Sequence, residues 1–140
     1  MVLLLLGILV SVAFVMFLNG QRQMILKSKM SELPSFLMGV KVAEEYYKET
    51  HGRKLAIEPY PAAPSAVART WENEASGGFD TLGVTPMGTS VCGSYWVEVS
   101  EDGQTFTAHG AADIDGDGVR ASYAATHEKG PELVTPKDVF

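Results

Sequence analysis

The first 18 residues, MVLLLLGILVSVAFVMFL, contain no charged residue and only one hydroxyl group, that of Ser11. A helix that rises about 1.5 Å per residue covers about 27 Å over this length, close to the hydrocarbon thickness of a bilayer. No Lys or Arg precedes the run and no small-residue cleavage motif follows it, so it fits a secretory signal peptide poorly. We therefore expect a membrane-spanning helix that is retained.

Beyond this run, apolar residues recur at helical spacing and polar residues fall mainly between them. This stripe comprises Leu26, Met30, Leu33, Leu37, Val40 and Tyr47, widened by Phe36, Ala43 and Tyr46. The spacing predicts one helix over residues 2–51, with Gly52 as its C-cap. Pro34 lacks an N–H and its ring opposes the preceding turn, so we expect a kink there.

The remaining residues predict a small antiparallel sheet. YWVEVS and TFTAHGA alternate apolar and polar residues around EDGQ, which predicts a hairpin turned at Asp102-Gly103. VRASYAAT predicts a third strand, AIEPYPAAPSAVART an extended connector, and the tail from Gly130 a loop or edge segment. A small sheet needs a partner surface, and the helical stripe provides one. The expected fold class is α+β, with a long N-terminal helix packed against a small antiparallel sheet.

This pattern divides the chain into three predicted regions. These are a transmembrane helix at 1–23, its amphipathic continuation at 24–52, and a small strand-rich domain at 53–140. Residues 1–52 carry five bases and four acids, whereas residues 53–140 carry six bases and thirteen acids. An acidic domain repels phosphate backbones, so nucleic acid is not expected as a partner.

Few residues suggest catalysis. A lone cysteine, Cys92, cannot form an internal disulfide, and a buried, inert thiol is the expected state. His51, His109 and His127 share no metal-ligand spacing, and no nucleophile elbow or phosphate loop is present in the sequence. Trp71 is interpreted as a packing anchor. We therefore expect no enzymatic activity.

The segment DIDGDG offers three carboxylates on alternate positions. Asp113, Asp115 and Asp117 match the first three ligand positions of a calcium loop, and the backbone carbonyl of Val119 could serve a fourth. The position of the bidentate Glu is occupied by Ala124, so an EF-hand sensor is not expected. Two interpretations remain: a structural calcium site completed by Glu101 or Asp102, or aspartates that cap turns through Asx-type hydrogen bonds.

The chain as a whole resembles a bacterial type IV pilin, or a type II secretion pseudopilin. The resemblance lies in LKSKMSELPSFLMGVKVAEEYYKETHG, residues 26–52, and in the later FDTLGVTPMG, YWVEVS and FTAHGAADIDGDG. It implies a structural subunit of a pilus-like filament that assembles through its apolar helix. The filament-core residues implied are Val2, Leu5, Leu9, Val12, Phe14 and Met16.

The resemblance also implies a location and partners. The subunit would be held in the bacterial inner membrane by a single span, with its domain outside the cytoplasm, and then join a cell-surface filament through self-association and an assembly machinery. A simple membrane anchor, which carries a periplasmic calcium- or ligand-binding module and does not assemble, is the alternative from a different class. Motility, adhesion and secretion are the roles typical of such filaments.

Pilins begin with a short basic leader that is cut before an N-methylated phenylalanine, and a glutamate follows soon after. The sequence opens MVLLLL and its first acid is Glu32. We expect either that a leader precedes Met1 or that this relative is not processed. A basic leader would also reconcile the orientation with the positive-inside rule, because the bases nearest the span, from Arg22 on, all lie C-terminal to it.

Overall fold

The computed structural model describes the backbone of residues 2–140 and side chains from Gly7 onward. Two helices, α1 (Val2–Met30) and α2 (Glu32–His51), follow each other with only Ser31 between them. The Ser31 N–H still donates to the carbonyls of Lys27 and Ser28, at 3.2 and 3.3 Å, so the helical path is nearly continuous. The interruption lies three residues before Pro34, whose ring opposes the carbonyl of Met30 four residues back.

The C-terminal end of α2 agrees with the predicted cap. Gly52 adopts a left-handed φ of 77°, and its N–H donates to the Lys48 carbonyl at 2.7 Å. A left-handed residue at this position is easiest for glycine, because no Cβ meets the preceding carbonyl.

The domain that follows contains a five-stranded sheet in which all neighbouring strands are antiparallel. Seven strands occur in the described chain: β1 (Ile57–Tyr60), β2 (Arg69–Thr70), β3 (Ser90–Val91), β4 (Ser94–Val99), β5 (Phe106–Ala112), β6 (Ala121–Thr126) and β7 (Glu132–Leu133). The order in the main sheet is β1-β4-β5-β6-β7, while β2 and β3 form a separate pair. A short helix, α3 (Gly78–Leu82), lies between the two members of that pair in sequence.

The predicted hairpin and third strand are confirmed. Val97 pairs with Ala108 and Val99 with Phe106 across β4 and β5, which the turn at Asp102-Gly103 connects. Strand β6 begins at Ala121, so Val119 lies before it and is exposed. The tail contributes β7 at the edge of the sheet, next to β6.

The segment predicted as an extended connector after α2 is extended, and part of it joins the main sheet. Ile57–Tyr60 forms the edge strand β1, in which Ile57 pairs with Val97 and Tyr60 with Tyr95. A register shift between those two pairs accommodates Pro59, which cannot donate to a ladder and is tolerated at a sheet edge. The β2–β3 pair and α3 were not expected from the sequence.

One face of α2 packs on the inner face of the sheet, which confirms the α+β fold class. Leu33, Leu37 and Val40 are fully buried, and the buried stripe extends back to Leu26 and Met30. Strand β5 approaches the helix closely at Gly110, where an added Cβ would lie 3.4 Å from Cδ1 of Leu37 and 3.1 Å from Cδ1 of Tyr95. A side chain at this position would force Tyr95 or Leu37 to shift by a few tenths of an ångström, so glycine eases the close approach of helix and sheet.

An aromatic cluster fills the centre of this interface. The Phe36 ring centroid lies 4.5 Å from that of Tyr95, 5.2 Å from that of Trp71 and 5.4 Å from that of Phe79. Trp71 is thus the packing anchor that the sequence predicted. The C-terminal end of the buried stripe differs from the prediction. Tyr46, which was expected to face the sheet, is 68% exposed, and Glu44 is buried on this side of α2 instead.

Candidate functional site

From Gly7 to Leu18, helix α1 presents apolar side chains to its surroundings on every side. No side chain from Gly7 to Ile25 is buried, and the buried contacts of α1 with the domain begin at Leu26. Four predicted filament-core residues lie in this segment and are more than half exposed: Leu9, Val12, Phe14 and Met16. The side chains of the other two, Val2 and Leu5, lie outside the described residues.

The helical stretch Gly7–His51 is long and apolar enough to cross a membrane, and it is the one such helix among the residues searched. The core helix of a globular protein passes the same test of length and composition, but its apolar window is mostly buried. Here none of the apolar window is buried inside the protein. An apolar surface of this size needs lipid or another apolar surface to cover it.

The loop between β5 and β6 brings the three predicted aspartates together. One carboxylate oxygen from each of Asp113, Asp115 and Asp117 lies within 4.8 Å of the others. Gly116 and Gly118 have left-handed φ values of 74° and 88°, which let the chain turn twice within the loop. The arrangement groups hard oxygen ligands of the kind that calcium prefers.

The same aspartates also accept hydrogen bonds from the loop backbone. The Val119 N–H donates to Asp117 at 2.7 Å, the Gly118 N–H to Asp113 at 3.1 Å, and the Asp117 N–H to Asp115 at 3.4 Å. Oδ1 of Asp113, however, is buried without any hydrogen-bond partner. Turn capping explains the bonded oxygens, whereas a cation would satisfy the unbonded one.

The acids expected to complete a calcium site do not lie near it. Glu101 and Asp102 belong to the turn before β5, and the aspartate loop follows its other end, about 20 Å away along the strand. The carboxylate that does approach is Asp138, which lines a common cleft with Asp115 and with Arg22 of α1. No sequence spacing could have indicated Asp138, because the fold of the tail brings it there.

A second carboxylate site, also missed at the sequence level, ties α2 to the domain. Glu32 accepts hydrogen bonds from the Cys92 N–H at 3.2 Å, the Gly93 N–H at 3.2 Å and the Tyr95 hydroxyl at 2.6 Å. Burial, followed by the negative charge of Glu32, raises the pKa of Tyr95 far above its ordinary value, so the phenol stays a donor. Glu32 therefore acts as a clamp between the start of α2 and the segment before β4.

A third acidic group lies at the other end of α2. Glu44 is fully buried and accepts the Leu55 N–H at 2.9 Å, while its Oε1 has no hydrogen-bond partner. Lys54, 2% exposed, is ion-paired with Glu45 at 2.7 Å and lies 4.9 Å from the ring centroid of Phe106. Burial raises the pKa of Glu44 to about 7, with the adjacent charge of Lys54 opposing the shift.

The remaining candidate side chains have structural surroundings. Cys92 is buried, as expected, and burial followed by the charge of Glu32 raises the pKa of its thiol, which disfavours the reactive thiolate. His51 stacks on Tyr47 and His109 on Trp96, with ring centroids 4.0 and 4.9 Å apart. Among the described residues, no histidine belongs to a group of side chains that could hold a metal ion.

Comparisons with protein-family models, with curated proteins and with solved structures found no match for this chain. Its class therefore rests on its own fold and sites. It is an α+β protein with one helix able to span a membrane and a cluster of three aspartates at one end of its sheet.

Proposed function

We propose that the chain is a structural, non-catalytic subunit of a type IV pilus-like filament, or of the related secretion pseudopilus. The observation that carries the proposal is the change in side-chain exposure from α1 to α2. One nearly continuous helical path is apolar from Gly7 to Leu18 and exposed as far as Ile25, and then packs one face on an antiparallel sheet. The resemblance of residues 26–52 to pilins supports the same function.

The physical logic of such a subunit follows from that surface. In the membrane, lipid covers the exposed side chains of α1. In a filament, the same side chains pack against the helices of neighbouring copies, so one apolar contact replaces another at little cost in hydration free energy. In both states the domain stays packed on the helix through the Glu32 clamp and the core around Leu37, which includes Leu26 and Met30 at the end of α1.

The proposal places the protein in a bacterial inner membrane with its domain outside the cytoplasm, and then in a surface filament. Its partners are further copies of itself and an assembly machinery. The test is to shear filaments from cells and to identify the chain by mass spectrometry in both the sheared and the membrane fractions. Recovery as a filament component supports the proposal, whereas recovery only in the membrane fraction of filament-bearing cells contradicts it.

The second candidate function is a membrane-anchored calcium-binding module, which the unbonded buried oxygen of Asp113 favours. Calcium held at 100 times its dissociation constant stabilises a folded protein by about 2.7 kcal/mol. We expect the full chain in detergent micelles to melt about 5 °C or more higher with calcium than with chelator. Asp113→Asn with Asp115→Asn should abolish this difference.

The matched control for that experiment is Asp80→Asn with Glu74→Gln, which removes the same charge at exposed positions away from the loop. This variant should keep the full calcium response. Equal melting of the unmodified chain with calcium and with chelator would leave turn capping as the role of the three aspartates.

A further inference from the structure

A cleft of about 280 Å³ lies where α1 passes into α2 and the C-terminal segment crosses the helix junction. Lys27 and Ser31 line it from the helices, and Lys137 and Tyr123 line it from the domain. The same cleft is also lined by the apolar side chains of Met30 and Leu133. It is therefore amphipathic, with two cationic residues and the phenol of Tyr123 beside a hydrocarbon surface, whereas the Ser31 hydroxyl already donates to the Ser28 carbonyl at 2.6 Å.

Neither lysine is neutralised within the described part of the chain. No carboxylate lies within ion-pair distance of Lys27 or Lys137, although Lys54 and Lys129 both have such partners. Asp138, the acid next to Lys137 in sequence, lines the neighbouring cleft with Arg22 instead. Two unpaired ammonium groups that line one cleft favour an anion between them.

The height of the cleft along α1 indicates where that anion comes from. Lys27 follows Leu18, the last residue of the uncharged apolar run, by nine residues, or about 13 Å of helix. Met24 and Ile25 are exposed and apolar between these points, which extends the lipid-compatible surface toward the cleft. With α1 in a bilayer, the cleft therefore lies just above the headgroup layer, which is about 5–8 Å thick on each side, and the side chain of Lys27 reaches down to it.

We propose that this cleft binds the phosphate of an anionic phospholipid. Lys27 and Lys137 contact the phosphate oxygens, the hydroxyl of Tyr123 donates a hydrogen bond, and the glycerol covers the half-buried side chain of Leu133. The apolar lining favours a lipid over a free phosphate ion. The inference rests on the membrane insertion of α1 that the proposed function includes, and it does not depend on filament assembly.

The bound lipid has a consequence for the domain. It fixes the helix junction and the C-terminal segment against the membrane surface, because Lys27 belongs to α1 and Lys137 to the domain. A subunit that leaves the bilayer must release this lipid. Retention in the membrane is therefore stronger in anionic than in neutral lipid.

The experiment uses the full chain reconstituted in lipid discs that contain both phosphatidylcholine and phosphatidylglycerol. After mild detergent extraction, native mass spectrometry counts the lipids that remain on each chain. We expect about one phosphatidylglycerol per wild-type chain, and about tenfold less on the Lys27→Gln, Lys137→Gln double variant. Both lysines are exposed, so the substitutions leave the core intact.

The matched control is Lys29→Gln with Lys129→Gln, which removes the same charge from α1 and from the domain. Lys29 lies at the same height but lines a different cleft with Glu32. This control should retain lipid as the wild type does. Equal retention by both double variants would overturn the proposal, since general attraction to the surface would then explain the binding.

Three further outcomes separate the possible failures. Protection of the Lys27 region from amide exchange by inorganic phosphate in neutral discs, to the same extent as by anionic lipid, would overturn the lipid proposal in favour of a free-phosphate site. Release of the chain from membranes by alkaline carbonate would contradict insertion of α1, and with it both the lipid site and the proposed function. Stable insertion without lysine-dependent retention would contradict the lipid site alone.

Discussion

Helices α1 and α2 lie one residue apart in the chain, yet α1, the more apolar of the two, is the less buried within the protein. Between Gly7 and Ile25 no side chain is buried, whereas α2 buries Leu33, Leu37 and Val40 completely. The difference shows that composition alone does not decide what a helix packs against. The domain packs on α2 and on Leu26 and Met30 at the end of α1, and it leaves the side chains from Gly7 to Ile25 uncovered.

The largest expected effect concerns α1 and its surroundings. Leu9→Asp places a carboxylate near the centre of the apolar run, where insertion scales assign a cost of about 3 kcal/mol. We expect the variant to be lost from the membrane fraction and to form no filaments, while the circular dichroism of its domain is unchanged. The measurement is recovery after fractionation of cells.

The control for this substitution is Val134→Asp, because Val134 is 65% exposed on the domain. It introduces the same charge and should leave both membrane recovery and filaments at wild-type levels. Normal filaments from the Leu9→Asp variant would contradict a role for α1 in the filament core.

The next prediction compares the same Leu→Ala substitution in the two helices. Leu37 of α2 is fully buried and faces Gly110 of β5, so Leu37→Ala should lower the free energy of unfolding by about 2–5 kcal/mol. Leu18 is 50% exposed, and Leu18→Ala should change it by less than about 0.5 kcal/mol in micelles. Urea denaturation of the full chain, followed by tryptophan fluorescence, measures both. Similar losses at the two positions would show that α1 contributes to the folded domain.

The third prediction concerns the buried carboxylate of α2. Burial raises the pKa of Glu44 from its ordinary 4.5 to about 7, so the folded state holds the proton more tightly than the unfolded state. Its contribution to stability is therefore complete below pH 4.5 and is lost as the pH rises to 7, by about 3 kcal/mol in all. Glu44→Gln should remove this fall from the pH profile of the free energy of unfolding.

Glu49→Gln is the matched control, because Glu49 is exposed on the same helix. Its profile between pH 4.5 and 7 should follow that of the wild type. A Glu44→Gln profile that falls as steeply as the wild type would show that Glu44 is not the titrating group.

Local patterns explain why much of this fold could be predicted. The helical spacing from Leu26 to Val40 and the alternation in β4 and β5 each report a buried face directly. The three aspartates come together because they are two residues apart on one loop. Glu44 falls on the same helical spacing, but a carboxylate is not expected in a core. Its neighbour Lys54 is brought close only by the turn after α2.

Contacts between distant segments could not be predicted. Strand β1 contains a proline and little alternation, and it exists because β4 offers an unpaired edge. Lys137 reaches the cleft beside Lys27, and Asp138 the cleft beside Asp115, because β7 and the tail fold back across the helix junction. No spacing within a single segment carries that information.

The smallest expected effect lies at the boundary between the two helices. Pro34→Ala supplies an N–H that can donate to the Met30 carbonyl, so the interruption at Ser31 should close and α1 should continue the axis of α2. The free energy of unfolding should change by less than about 1 kcal/mol, because Leu33 and Leu37 keep their contacts. Filament rise, measured by electron microscopy, should change more than stability does. An unchanged rise in filaments of this variant would show that the break between the helices has no role in how α1 packs.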